Sequence, residues 1–294
     1  MTPENSFEHK GRIIRAEIRT SATPQQAWEA WADPQKIAGW FVDRAAGEAK
    51  PGGIMTWFFD DFGYQLPYKV VDAVPGRLFV LKWDPPQGDS GILEVRVARE
   101  WGATVVRLIN SGFREDAKWN EEYEGTDSGW RMALALLKEY LENYFGRSKK
   151  MLLIVRPASY NYELLREYFL DPAKLSQWLT TSGKIGKPEE SCELVLREGG
   201  KLSGRVLEVT KWEVALSWKE ISGTLELKGF AMGPQRVLGV RVMIWNPDSA
   251  SSAKIKAQME KAVERLAAMF PAPAGGGLPS ANESQVKEPF EKKP

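Results

Sequence analysis

Side chains suited to acid–base, nucleophilic or metal chemistry are scarce in this chain. Its 294 residues include one histidine, His9, and one cysteine, Cys192. A His/Cys zinc site needs more such ligands than one copy supplies. An internal disulfide is impossible, which suits a reducing compartment. A Ser-His-Asp triad would have to recruit His9 from a polar N-terminal segment, so that chemistry is set aside. Carboxylates remain. Asp60-Asp61 form a pair able to share a proton or hold a cation, but their place between strands reads as an exposed turn. Glu121, Glu122, Glu124 and Asp127, with Tyr123 among them and Arg131 after them, offer a general acid or a polar mouth. Their plainer reading is a solvated loop with favourable charge at a helix N-terminus. Cys192 has no flanking histidine to activate it and reads as a small structural residue. No Walker-type loop and no G-x-G-x-x-G after a strand is present, and Gly52-Gly53 reads as a turn. The expectation is no metal, no cofactor and no assigned catalytic residue.

Composition narrows the partners. Lys plus Arg total 40 against 39 for Asp plus Glu. Residues 1–150 carry a net charge of −2 and residues 151–294 one of +3. Neither half has the basic surplus that phosphate binding calls for, so nucleic acid is not expected. Met1 to Lys10 lacks the apolar core of a signal peptide, and no apolar run approaches the ~20 residues of a membrane span. A cytoplasmic protein without membrane insertion is the expectation. Tryptophan is abundant. Eight of the twelve precede residue 150, and the indole suits both cores and cavity walls.

The chain is written twice. Asp33-Pro34-Gln35-Lys36-Ile37-Ala38-Gly39-Trp40 returns as Asp171-Pro172-Ala173-Lys174-Leu175-Ser176-Gln177-Trp178. Gly52-Gly53 matches Gly199-Gly200, and Gly91-Ile92-Leu93-Glu94-Val95 matches Gly223-Thr224-Leu225-Glu226-Leu227. Trp83 and Trp218 close corresponding strands. A repeat this long means a duplicated domain.

Each copy follows one plan. Residues 12–20 alternate as a half-buried strand. Thr23-Pro24 opens a helix with an apolar stripe of Ala27, Trp28 and Trp31, and Asp33-Pro34 opens a short second one. Strands are expected near 54–59, 66–74, 77–84, 91–99 and 103–110, with hairpins at Pro75-Gly76 and Trp101-Gly102. A helix over roughly 127–145 carries Trp130, Leu134, Leu137, Leu141 and Tyr144 on one face. The second copy repeats this with a strand at 151–156, a helix at about 159–169 and a closing helix at about 250–269, whose face carries Ile255, Met259, Val263, Leu266 and Phe270. The expected division is a flexible 1–10, domains at 11–148 and 149–270, and a Pro/Gly-rich disordered tail at 271–294. The fold class is α+β. In each domain a curved antiparallel sheet wraps around a long C-terminal helix, because an amphipathic helix must cover one sheet face.

Thr23-Pro24-Gln25-Gln26-Ala27-Trp28, Asp33-Pro34 to Trp40-Phe41, Pro51-Gly52-Gly53, Asn110-Ser111-Gly112-Phe113, Glu122-Tyr123-Glu124-Gly125 and Gly129-Trp130 together carry a resemblance. Over residues 11–146 the chain resembles the START-like (SRPBCC) superfamily of helix-grip folds. Within it, the chain is similar to the family of activators of heat-shock protein 90 ATPase. The second copy is divergent: it keeps Asp171-Pro172 and Trp178 but has Trp245-Asn246-Pro247 in place of Asn110 to Phe113. The resemblance implies a fold with many functions: lipid, sterol or polyketide binding, cyclase or hydrolase activity, or contact with a chaperone.

The leading reading is non-catalytic binding of a small apolar molecule between sheet and long helix of the first domain. Trp57, Phe59, Trp83 and Trp130 are the expected walls and Tyr123 the mouth. Against it stands simple core filling by the same side chains. The alternatives are a co-chaperone-like interaction module and a cyclase or hydrolase using carboxylates and Tyr123.

Overall fold

The computed structural model describes residues 9–84, 90–232 and 235–272. Most of the tail expected to be disordered, 273–294, and most of the N-terminal segment, 1–8, lie outside the described residues.

The first sheet is built from β1 (Arg12–Thr20), β2 (Arg44–Gly47), β3 (Ile54–Phe59), β4 (Tyr64–Val74), β5 (Leu78–Trp83), β6 (Gly91–Glu100) and β7 (Ala103–Phe113). The second holds β8 (Lys149–Pro157), β9 (Thr180–Gly183), β10 (Ser191–Leu196), β11 (Lys201–Val209), β12 (Glu213–Trp218), β13 (Gly223–Met232) and β14 (Gln235–Trp245). Strand order is β1-β7-β6-β5-β4-β3-β2 in one and β8-β14-β13-β12-β11-β10-β9 in the other. The sheets therefore correspond strand for strand. Register corresponds too: Trp83 pairs with Gly91, and Trp218 with Gly223. These are tandem helix-grip domains.

Local chemistry explains the helices. Thr23 caps α1 (Pro24–Ala32) with a full capping box against Gln26, which satisfies two otherwise orphaned amides. Asp33 accepts from the Gln35 and Lys36 amides at the start of α2 (Pro34–Ala38). Asn161 caps α4 (Tyr162–Leu170), and Asp171 does the same for α5 (Pro172–Trp178). The two long helices, α3 (Asn120–Glu139) and α6 (Ser249–Met269), complete the domains.

Helix α3 begins at Asn120, seven residues before the expected start. Glu121 and Glu122 occupy its first turn, where carboxylates offset the helix dipole. The acidic run is thus helix, not loop. At the other end a π-turn spans Tyr140–Tyr144. It resets the helical phase, so Tyr140 is fully buried while Tyr144 leaves the predicted stripe. The short strands β2 and β9 were not foreseen.

Packing divides the chain into two units. The first takes the chain up to Ile37, Arg44–Phe58 and Gln65–Phe145; the second takes Ala38–Asp43, Phe59–Tyr64 and everything from Gly146. Specific bonds within the second unit hold its two early segments. Lys149 Nζ donates to Ala38 O at 2.8 Å and Val42 O at 2.6 Å, and Trp245 Nε1 donates to Gly39 O at 2.8 Å. The Phe62 and Phe230 rings meet edge-on at 5.9 Å.

In the second domain α6 buries Ile255, Met259, Val263 and Leu266 against Leu225, Leu227, Val240 and Val242. Gly239 of β14 leaves no space for a side chain: an added Cβ would fall 2.0 Å from Ile154 O. Gly239→Ala is expected to destabilise the protein by about 2 kcal/mol or more, read as a lowered urea midpoint. An unchanged midpoint would remove this close β8–β14 approach from the account.

Candidate functional site

The polar end of the first helix–sheet interface lies where α3 begins. Alternation along β7 puts Val106, Leu108 and Asn110 on the helix-facing side. Asn110 Oδ1 accepts from Trp130 Nε1 at 2.9 Å, and its Nδ2 donates to Ile92 O at 3.2 Å. Glu122, Thr126 and Trp130 follow at i, i+4 and i+8 on one stripe of α3. Trp130 thus meets the sheet at Asn110, and Glu122 lies two turns nearer the helix start.

Burial pushes the Glu122 carboxyl up to about 7, against the lowering pull of Arg114. Among the described residues it makes no ion pair or side-chain hydrogen bond. Its neighbours are committed. Arg114 lies over the Trp119 ring at 5.0 Å. Arg12 stacks on Tyr123 at 3.9 Å and donates to Asn120 Oδ1 at 2.5 Å. Thr126 Oγ1 donates to the Glu122 carbonyl. A half-buried acid that is protonated about half the time near pH 7 can donate a hydrogen bond to a carbonyl or carboxylate, or bind a cation by losing its proton.

The five sequence candidates sit on β3, β5 and α3. Trp57 is fully buried, 4.7 Å from the Tyr68 ring. Phe59 belongs to the second unit, stacked on Tyr64 at 4.8 Å and meeting Phe41 edge-on at 6.0 Å. A 3-10 turn at Asp60–Phe62 follows directly on its strand. Trp83 is half-buried at the end of β5. Trp130 packs near Trp31, 6.0 Å between centroids. Tyr123 donates its hydroxyl to Ile13 O at 3.0 Å and meets the Phe113 ring at 5.5 Å. It latches the start of α3 to β1.

Sequence reasoning named the acidic run but did not single out Glu122. Its i, i+8 spacing to Trp130 was the available signal. His9 is not loose: Nδ1 lies 2.9 Å from Ser111 Oγ and Nε2 3.1 Å from Glu94 Oε2. This resembles a Ser-His-Glu relay. Yet Ser111 is 3% exposed and the next amide, Gly112, already donates to Lys10 O. Ser111 is thus closed off from solvent and the Gly112 amide is already engaged, so among the described residues no open nucleophile site forms there. Asp61 is raised by burial first, then by Asp43 and Asp60. Burial drives the Cys192 thiol up to about 11, which makes it inert. No group of three or more potential metal ligands occurs among the described residues.

Residues 21–142 match the family model described as Activator of Hsp90 ATPase homolog 1-like protein. The first repeat is a START-like domain of this family. Among the curated proteins, no match was found. Similar solved structures include the Aha1 dimer from Colwellia psychrerythraea, at 18% identity, TM-score 0.40, covering 45% of this chain and 96% of that one. DynU16 of the dynemicin biosynthetic locus is 13% identical, TM-score 0.40, covering 87% and 98%. BexL, a di-domain ARO/CYC protein of the BE-7585A biosynthetic pathway, is 9% identical, TM-score 0.41, covering 89% and 99%. No helix among the described residues is long and apolar enough to cross a membrane.

Two outcomes test the site. Glu122 has a folded-state value above its unfolded one, so it favours folding fully below about 4.5. That contribution is lost as pH rises through about 7. Stability of the wild type is expected to fall across this window more than that of Glu122→Gln, read by urea unfolding at stepped pH. Parallel profiles would contradict the assignment. Tyr123→Phe is expected to cost about 1 kcal/mol through loss of one net hydrogen bond, measured in the same way.

Proposed function

We propose that this is a cytosolic, non-catalytic binding protein whose first domain takes a small, largely apolar molecule with one polar end. The body would lie between sheet and α3, in reach of Trp130 and Trp83. The polar end would meet Glu122. The observation that carries this reading is the half-buried Glu122, a carboxyl kept off its usual range by burial and, among the described residues, without an ion pair or side-chain hydrogen bond. A buried polar group normally has a partner, and a ligand supplies one.

The contrast between the domains supports it. In the second, the helix start is capped by Asp248 on the Ser251 amide, and the stripe that follows is apolar. In place of a carboxyl, the first turn of α6 buries the small hydroxyl of Ser252. The second domain then serves as scaffold.

Native mass spectrometry of protein purified gently from its own cells is the test. The expected result is a discrete added mass, released on denaturation and diminished in Glu122→Gln. A bare mass, with no binding of an apolar fluorescent dye that Glu122→Gln alters, would overturn the reading. The match to the Hsp90-activator family supports a second reading, a chaperone contact. Stimulation of an Hsp90 ATPase by the purified chain, unaffected by Glu122→Gln, would favour it.

A further inference from the structure

The turn between β6 and β7 carries a bulky side chain where a small one belongs. Glu100 pairs with Ala103, which makes Trp101 and Gly102 the two central residues of a two-residue hairpin. Their φ values are 51° and 80°, the conformation that favours Asn-Gly. A tryptophan at positive φ is strained, and this one is 95% exposed. Neither core packing nor turn chemistry accounts for it.

Its surroundings are cationic. Arg99, two residues before the ring, is exposed and donates to Thr104 Oγ1. Arg77 is exposed in the neighbouring turn, where its carbonyl accepts from Val97 N at 2.8 Å. Neither makes an ion pair among the described residues. The nearby carboxylates are spent: Arg107 grips Glu100 with both terminal nitrogens and holds Glu17 through Nε, and Arg19 also approaches Glu100.

The other exposed large apolar residues, Ile54, Leu164 and Val195, lie on β3, α4 and β10. A protein-docking surface has a core of several apolar side chains, and this tip offers one. A lipid surface asks for less. An indole suits the headgroup boundary, and cations beside it gain from anionic lipid. Arg99 stands about 7 Å behind the ring at strand spacing, comparable to the ~5–8 Å of a headgroup layer.

We propose that Trp101 is an interfacial anchor that docks the first domain reversibly on an anionic lipid surface, with Arg99 and Arg77 at the phosphate level. The contact is superficial and independent of the ligand site at Glu122.

Co-sedimentation of the full chain with phosphatidylcholine vesicles, with and without phosphatidylserine, tests this. The chain is expected to sediment with the phosphatidylserine vesicles only and to be released by high salt. Trp101→Asn is expected to abolish sedimentation. Arg77→Gln combined with Arg99→Gln should weaken it roughly thirtyfold. Asn-Gly suits the turn, so Trp101→Asn should melt no lower than wild type, which separates lost binding from lost folding. A wild type that stays in the supernatant overturns the proposal and returns Trp101 to a protein contact. So does a Trp101→Asn variant that sediments as well as wild type.

Discussion

The inner face of an antiparallel sheet cannot be left to water, and each sheet here meets that constraint with one long helix. Burying a Leu- or Val-sized side chain is worth about 1.5–3 kcal/mol, and α6 alone covers Leu225, Leu227, Val240 and Val242. Everything else is arranged around that grip. Strand order is the same in both domains because each sheet must curve around a helix entering from the same connection. Asp33 and Asp171 begin the short helices at matching points because the chain must turn there before the second half of the sheet.

Where the two copies differ, the difference is chemical. The first keeps polar groups at the start of its gripping helix: Asn110 bonded to Trp130, Glu122 half-buried without a side-chain hydrogen bond, Tyr123 latched to β1. The second follows its helix start with an apolar stripe. Both domains bury a carboxylate on the other sheet face, Glu94 held by Arg96 and His9 in the first and Glu226 in the second. There Arg241 binds Glu226 through two nitrogens, and Lys228 bonds Glu213 at 2.9 Å. Burial lowers Lys149 to about 8, yet two backbone carbonyls hold its ammonium and tie Ala38 and Val42 into the second unit. Buried pairs of this kind add little net stability, but losing one partner is costly. Their role is to fix these segments in place.

The repeat, the helix grip and the strand register were legible in the sequence, because Asp-Pro caps and Trp/Gly strand ends are local signals that survive divergence. Boundaries set by electrostatics or phase were not. The acidic run concealed the first two turns of α3, since carboxylates favour a helix start and a loop alike. The π-turn at Tyr140 breaks no sequence rule. Strands β2 and β9 are four residues each, too short for periodicity to show. Trp57 and Phe59 share strand parity, yet Phe59 falls in the second unit with the turn that follows it. No local feature of Glu122 distinguishes it from Glu121 or Glu124. Only its helical phase relative to Trp130 does, and that needs the correct helix start.

We propose that Glu122, its carboxyl raised by burial, stands at the entrance of the first helix grip where a ligand would meet it. Carbon-13 NMR titration of the side-chain carboxyls, with the Glu122 resonance assigned through Glu122→Gln, tests it most directly. The account predicts a midpoint near 7 for Glu122. A midpoint near the ordinary value of about 4.5 would place that carboxylate in water and contradict the account.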